Sequence, residues 1–422
     1  MQTDSKMISR RGFTRFHQTL SSVKRTFRTT AITDRASKNS QIKITSTTSS
    51  SSTDSSTTTT ATNSGPTSTL SSSNSIDPIA NIQLTTDEPI NDSTHSGDRL
   101  SFQMAEAYLP KMQDNAISLP EEARKRVSRD VNSKLTDRPD SGQDSFFHVQ
   151  IDKGTKRGSI ALGVADGVGG WATVGVDPSE YSHTLCELMV ERFLEQRDLP
   201  HNEPLVQPLK LIDHAYEKIK KEDLVQAGSC TACVGVASPL SGILQVANLG
   251  DSGYAIFRQG RVYRLSTPLT HRFNTPYQLA AIPNWIKFEN VRRLDDKPSD
   301  AIISTHTLQH GDVVVFSTDG LTDNLFAHEI LNIVNDTMIK TSSWVTGDDG
   351  EIKPGKTMSG SADLAFALVK NAALRSVDLD RTTPFAVELR REIGITATGG
   401  KPDDITVVCL LVQDAQSEQD DS

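Results

Sequence analysis

The stretch "SIALGVADGVGGW", residues 159–171, is an apolar run that stops at a carboxylate, Asp166, and continues as a glycine turn. A run without alternating polar residues reads as a strand covered on both faces. An Asp-Gly pair at its end is, taken alone, an ordinary turn signal. It is also a way to hold a charged group at a rigid strand end, within reach of a ligand. The neighbouring sequence decides between these readings.

Outward from this stretch, apolar strands follow one another in runs. "DSFFHVQI" precedes it; "SCTACVGVAS", "GILQVANLGDSGYAIFRQGRVYRLS", "GDVVVFSTDG" and "DDITVVCLLVQ" come after. Gln259-Gly260 marks a hairpin turn within the longest of them. Helical periods lie between: "DPSEYSHTLCELMVERFLEQR", with Asp177 capping a helix that has Pro178 at its first position, then "PLKLIDHAYEKIKKED", "LTDNLFAHEILNIVNDTM" and "SADLAFALVKNAALRS". Consecutive strands and hairpins, rather than strict alternation of strand and helix, predict an α+β layered domain with antiparallel sheets.

The carboxylate at the strand end recurs. "GVADG", "NLGDSG", "VVFSTDG" and "KPDDITVV" place Asp166, Asp251, Asp319 and Asp403 at the edges of apolar strands, and "GQDSFF" places Asp144 just ahead of one. These motifs read as carboxylates without an Arg or Lys partner of their own. Several carboxylates that converge repel one another unless a cation neutralises them. An all-oxygen donor set suits hard ions such as Mg2+ or Mn2+, and the lack of His or Cys beside it argues against zinc and copper.

The ordered series "GQDSFF", "GVADGVGGW", "NLGDSGYAIFRQGRV", "VVVFSTDGLTDNL" and "KPDDITVVCLLV" resembles the metal-dependent PPM-type (type 2C) protein serine/threonine phosphatases. The turn D-G-V-G-G-W and the loop "FNTPYQLA" are similar to the mitochondrial branch of that family. The resemblance covers residues 125–413. It implies a four-layer α-β-β-α sandwich of two antiparallel sheets flanked by helices, with the metals in a cleft at one end. It implies that Asp166 bridges two ions, that the carbonyl of Gly167 binds one of them, and that Asp319 and Asp403 complete the other site. Asp144 would orient metal-bound water, and Asp251 and Asp323 with Asp319 would form a weaker third site. The implied reaction is attack of a water activated by two Mg2+ or Mn2+ ions on a phosphoserine or phosphothreonine of a protein substrate, with no covalent enzyme intermediate.

Three positions depart from the family pattern. Gln143 stands where an acidic residue usually ligates the second metal, which predicts a weaker site. Val168 stands where many members carry a histidine general acid. Pro139 stands where the phosphate-binding arginine is expected, leaving Arg138 as the nearest candidate. Gln143 and Val168 motivate an alternative, a catalytically weakened, phosphatase-like module that binds phosphoproteins. A second rival, a serine hydrolase, rests on "GDSG" at 250–253, but Tyr254 follows it and no histidine or disulfide framework supports it.

The rest of the chain sets boundaries. Among its 422 residues, the segment 45–75 is almost pure Ser and Thr, too poor in apolar side chains to offset the entropy of ordering. Residues 5–33 carry Arg10, Arg11, Arg15, Lys24, Arg25 and Arg28 and no Asp or Glu, the makeup of a mitochondrial transit peptide. The expected plan is a transit peptide over 1–35, a disordered linker over 36–100, a phosphatase domain over 101–415 and an acidic tail over 416–422. A net charge of -9 without a basic cluster in the globular part argues against nucleic acid as partner, and no stretch is apolar enough to span a bilayer. The four cysteines read as buried core residues in a reducing compartment, since Cys230 and Cys233 lie three apart on a strand and point to opposite faces. The branch implies a monomer in the mitochondrial matrix, acting on metabolic proteins such as ubiquinone-biosynthesis enzymes.

Overall fold

The computed structural model describes residues 100–111, 138–154, 156–200, 204–283 and 294–415, all within one compact unit. The basic N-terminal segment, the Ser/Thr-rich stretch and the acidic tail lie outside the described residues.

Ten strands form two antiparallel sheets of five. They are β1 (Leu100–Leu109), β2 (Asp144–Gln150), β3 (Ile160–Asp166), β4 (Ala232–Ala237), β5 (Ile243–Leu249), β6 (Gly253–Arg258), β7 (Arg261–Leu265), β8 (Ile302–Thr307), β9 (Val313–Ser317) and β10 (Ile405–Asp414). One sheet runs β1-β10-β9-β6-β7 and the other β8-β5-β4-β3-β2. Short pairings, such as Gly228–Cys230 with Leu279–Ala281, lie outside them.

Six helices complete the described fold: α1 (Ser179–Leu194), α2 (Pro208–Glu222), α3 (Asp319–Thr322), α4 (Ala327–Lys340), α5 (Ser361–Ser376) and α6 (Pro384–Ile393). Helices α1 and α2 cover the second sheet, and α5 covers β1 and β10 of the first, with α4 behind it. The protein is thus the α+β layered domain with antiparallel sheets that the sequence pattern predicts, in the α-β-β-α arrangement that the resemblance implies.

The continuous apolar character of β3 has a direct cause. Ile160, Leu162 and Val164 face the core between the sheets. Ala161 and Ala165, on the opposite face, pack in the core shared with α1 and α2. Alternation places successive side chains on opposite faces, and here both faces are covered, so neither tolerates polar residues. Strand β10 repeats this, with Val408, Leu410 and Val412 between the sheets and Val407, Cys409 and Leu411 also fully buried. Helix α1 meets its sheet with Tyr181, Leu185, Met189 and Phe193, one stripe at four-residue spacing, each fully buried.

Details of the sequence reading hold with small shifts. Asp177 accepts the N–H of Ser179 at 3.0 Å, so it caps α1, although the helix is assigned from Ser179 rather than Pro178. Gln259 and Gly260 turn the β6–β7 hairpin with φ of 49° and 75°. The period over 321–338 is not one helix. It breaks after α3 and restarts at Ala327, where the Phe326 N–H bonds the Glu329 carboxylate at 3.0 Å. Cys230 joins the helix-side core and Cys233 the core between the sheets. All four cysteines are buried and free.

Candidate active site

The strand ends named above meet at one end of the sandwich. In the β2–β3 pairing Asp144 lies directly opposite Asp166. Like charges in that position destabilise a sheet unless something neutralises them. Asp144 is fully buried; its Oδ2 accepts the Thr318 hydroxyl at 2.8 Å, and its Oδ1 is buried without a partner. The backbone of Asp166 is fixed by Thr231, whose hydroxyl accepts the Asp166 N–H at 3.0 Å and whose N–H donates to the Asp166 carbonyl at 2.9 Å. Gly167 follows in a space closed to side chains: a Cβ there would stand 2.6 Å from the carbonyl oxygens of both Gln143 and Pro178.

The other sheet brings its own carboxylates. Thr318 donates its N–H to the Thr406 carbonyl at 3.1 Å and accepts the Thr406 N–H on its hydroxyl at 3.1 Å. This double tie sets Asp319, at the start of α3, beside Asp403 and Asp404, which precede β10. Asp251 sits in the turn between β5 and β6, and Asp323 closes α3. The Oδ1 atoms of Asp251 and Asp319 are buried and unpartnered, like that of Asp144.

Two lysines complete the cluster, and the sequence reading missed both. Lys401 Nζ lies 2.5 Å from Asp319, 2.7 Å from Asp323 and 3.2 Å from Asp403. It belongs to the motif "KPDDITVV" itself, so the expectation that these motifs carry no cationic partner is overturned. Lys111, just past β1, reaches Asp403 and the Gln143 side-chain oxygen, each at 3.1 Å. Asp404, unremarked in the sequence, is a structural tie: its carboxylate accepts the N–H groups of Lys111 at 2.7 Å and Gln143 at 3.0 Å. Its oxygens are thereby committed, while Asp403 keeps its carboxylate toward the cluster.

Among the described residues no group of three or more His, Cys, Asp or Glu side chains is closed to metal-cage spacing; the two ammonium groups lie between the carboxylates. Two ammoniums against seven carboxylates nevertheless leave negative charge in excess. Burial foremost, then Asp144 and Asp319, pushes the Asp166 carboxyl well above its ordinary range. Burial and then Asp404 do the same to Asp144. Burial and Asp319 push Asp323 well up against the pull of Lys401. Asp403 is the exception: burial acts to raise it, but Lys401 and Lys111 together hold it below the ordinary value. An oxygen-only donor set, three buried orphan oxygens and uncompensated negative charge fit hard divalent ions.

The electrostatics predict a pH dependence. Burial first, and then Asp319, raise Asp251 from 3.8 to about 7. A carboxyl group with a raised folded value weakens the fold once the unfolded chain ionises. The penalty grows from the unfolded value and is complete above the folded one. Metal-free protein should therefore unfold at a temperature lower by about 5 °C at pH 7.5 than at pH 5. Mn2+ added at pH 7.5 should reverse the loss. Thermal unfolding in EDTA checks this, and a flat profile would mean that the carboxylates do not strain the fold.

The remaining candidates fall elsewhere. Arg138 Nε bonds Glu187 of α1 at 3.3 Å, and its Nη1 is buried without a partner. Val168 packs with Trp171, Val176 and Ala227 and has no proton to give. Ser252 of "GDSG" is fully buried, with its hydroxyl bonded to that of Thr231 at 2.7 Å, so the serine hydrolase reading has no accessible nucleophile. The two branch motifs touch through a relay: Trp171 Nε1 donates to the Ser229 hydroxyl at 2.6 Å, which donates to the Gln278 side chain at 2.7 Å. This relay ties the glycine turn to the "FNTPYQLA" loop.

With the geometry in place, comparison with known proteins gives a consistent result. The pattern of the protein phosphatase 2C family matches residues 137–350. The 5-azacytidine resistance protein azr1 of Schizosaccharomyces pombe is 33% identical over 70% of this chain and 90% of its own length. Protein phosphatase 2C homolog 7, mitochondrial, of Saccharomyces cerevisiae is 33% identical over 74% of this chain and 82% of its own. The human protein phosphatase PTC7 homolog is 35% identical over 61% and 76%. Among solved structures, the photosystem II phosphatase PBCP superposes with a TM-score of 0.51 at 26% identity, covering 74% of this chain and 98% of that one.

Proposed function

From the membership of this chain in the protein phosphatase 2C family, we propose that it is a metal-dependent phosphatase hydrolysing phosphoserine and phosphothreonine in mitochondrial proteins. The observation that carries the metal dependence is the set of buried orphan oxygens on Asp144, Asp251 and Asp319. Asp166, the Gly167 carbonyl, Asp319 and Asp403 would hold two Mg2+ or Mn2+ ions. When bound, such ions bring a water to hydroxide-like reactivity near neutral pH and offset charge on the phosphoryl oxygens.

The chain's own residues supply position and polarity. Asp166 stands on a strand end fixed on both sides by Thr231, so its carboxylate faces the site without having to be ordered on binding. Asp144, held by the Thr318 hydroxyl through one oxygen, has its other oxygen left to accept a hydrogen bond from water and orient it. Gln143 offers no anionic ligand: its side-chain oxygen accepts the Lys111 ammonium. Val168 cannot protonate the departing serine or threonine oxygen, so that proton comes from water. The binding-module alternative draws no support from the comparisons.

A phosphothreonine peptide incubated with the purified chain and millimolar Mn2+ should release inorganic phosphate. EDTA should reduce the rate to background. Full turnover in EDTA after dialysis would refute the metal-dependent reading.

The location and domain plan belong to the same proposal. In this plan residues 1–35 direct import, 36–100 connect them to a catalytic domain over 101–415, whose first strand takes in Leu100, and 416–422 are an acidic tail. The yeast relative's designation as mitochondrial and the Arg-rich segment free of acidic residues support this. Residues 1–35 fused to a fluorescent protein should accumulate in mitochondria, with the matrix as destination. Cytosolic fluorescence from the fusion would refute it.

A further inference from the structure

Resemblance assigned a weaker third ion to Asp251, Asp319 and Asp323, but in the fold an ammonium already serves two of those carboxylates. Lys401 Nζ bonds Asp319 Oδ2 at 2.5 Å and Asp323 Oδ2 at 2.7 Å, and pairs with Asp403 Oδ2 at 3.2 Å. A lysine has three N–H donors, and here three carboxylate oxygens stand around them. The ring of Phe385 lies 5.5 Å from the ammonium, within cation–π range. The side chain is only 16% exposed.

The backbone of this lysine is clamped as well. Lys401 donates its N–H to Asn324 Oδ1 at 2.9 Å, and the Asn324 amide returns a bond to the Lys401 carbonyl at 2.9 Å. The same amide donates to the Gly320 carbonyl at 2.9 Å. Asn324 is fully buried and lies one residue beyond Asp323. Through it, residue 401 is fixed to the turn that carries Asp319 and Asp323. The ammonium therefore belongs to a built arrangement, not to a surface side chain laid across acidic neighbours.

The partition of oxygens is informative. Lys401 takes Oδ2 of Asp319 and leaves Oδ1 buried and unpartnered. A divalent ion needs a nearly complete shell of oxygens at short range. One placed between Asp319 and Asp323 would face, at contact distance, the ammonium that bonds Oδ2 of both, whereas Asp166 and the Gly167 carbonyl are not among the oxygens that the lysine bonds. We propose that Lys401 is a built-in monovalent replacement for the third divalent ion, so that this phosphatase holds two ions and no more. The lysine would thereby act as a positioning residue, turning Asp319 Oδ1 toward the two ions. This inference rests on the two-ion reading above.

The test counts ions rather than turnover. Full-length protein at pH 7.5 is equilibrated with Mn2+, and the metal bound per chain is measured by dialysis and atomic absorption. The wild type should saturate at two ions. Lys401→Met should gain one further, weaker ion, and Asp323→Asn, whose carboxylate serves the lysine, should still bind two. A third ion in the wild type, no gain in Lys401→Met, or an ion lost in Asp323→Asn would overturn the proposal. If circular dichroism shows that Lys401→Met does not fold, the counts for the wild type and Asp323→Asn decide. A wild type that binds no Mn2+ is a separate outcome, which refutes the two-ion reading and the lysine's role with it.

Discussion

Asp166→Asn is expected to lower turnover of a phosphothreonine peptide by roughly 10³-fold or more, down to the rate that EDTA leaves in the wild type. The fold should survive, because the amide has the shape of the carboxylate and Thr231 fixes the strand end through the backbone N–H and carbonyl of Asp166, not through its side chain. The substitution removes the charge that stands opposite Asp144. Without metal, burial foremost and then the charge of Asp144 push the Asp166 carboxyl well above its ordinary range, and the neutral amide is free of both costs. The EDTA-treated variant should therefore unfold at the same temperature as the wild type or higher, a gain on the order of 1 kcal/mol for one relieved cross-strand pair. The two measurements bear on different claims. Turnover within tenfold of the wild type would remove Asp166 from the chemistry. A lower unfolding temperature in EDTA would mean that the Asp144–Asp166 pair is compensated in the absence of metal.

The elements that sequence reading located are those whose environment leaves a local mark. Strands β3 and β10 are buried on both faces, which enforces unbroken apolar runs, and Asp166, Asp319 and Asp403 interrupt or flank such runs conspicuously. Strand β1 left no such mark. "LSFQMAEAYL" is half-buried along most of its length at the edge of its sheet, and its mixed composition fits several structures. Strand β8, at the edge of the other sheet, exposes Ile302 and Ile303 and is equally ambiguous. The break between α3 and α4 was hidden because the helical period continues across it, while the start of α4 depends on a bond between Phe326 and Glu329.

The candidate site divides along the same line. Carboxylates at strand ends can be read from the chain; their counter-charges cannot. Lys111 is 292 residues from Asp403 in sequence, and only the β1–β10 pairing brings it near. Lys401 is two residues from Asp403, yet whether it turns inward depends on the clamp by Asn324. Asp404 shows the converse. In "KPDDITVV" the two adjacent carboxylates look equivalent, and the structure separates them by what they bond. Asp404 holds the backbone N–H groups of Lys111 and Gln143, whereas Asp403 faces two ammoniums.

Gly320→Ala is expected to act on both stability and metal affinity, because Gly320 is where α3, which carries Asp319, meets the segment that carries Asp403 and Asp404. The residue lies between Asp319 and Leu321 in α3, against the backbone that carries Asp403 and Asp404. A Cβ at this position would overlap the carbonyl oxygen of Asp404 and stand 3.0 Å from its carbonyl carbon and from Ile405 Cγ1. The obstruction is backbone, so no rotamer change relieves it. The neighbouring bonds of Thr318 to Thr406 and of Asn324 to Lys401 resist the required displacement. Overpacking of this kind costs about 2–3 kcal/mol, a fall of roughly 5–10 °C in unfolding temperature. If the 402–405 segment yields instead, Asp403 moves away from Asp319 by a good part of an ångström. A shift of that size costs on the order of 10²-fold in rate where geometry carries the catalysis, and the Mn2+ concentration for half-maximal activity should rise with it. Gly170→Ala is the control, since a Cβ there meets nothing within 4 Å and its stability should change by less than about 0.5 kcal/mol. Gly320→Ala protein as stable as that control, with an unchanged Mn2+ titration, would mean that α3 and the Asp403–Asp404 segment do not approach as closely as the fold places them.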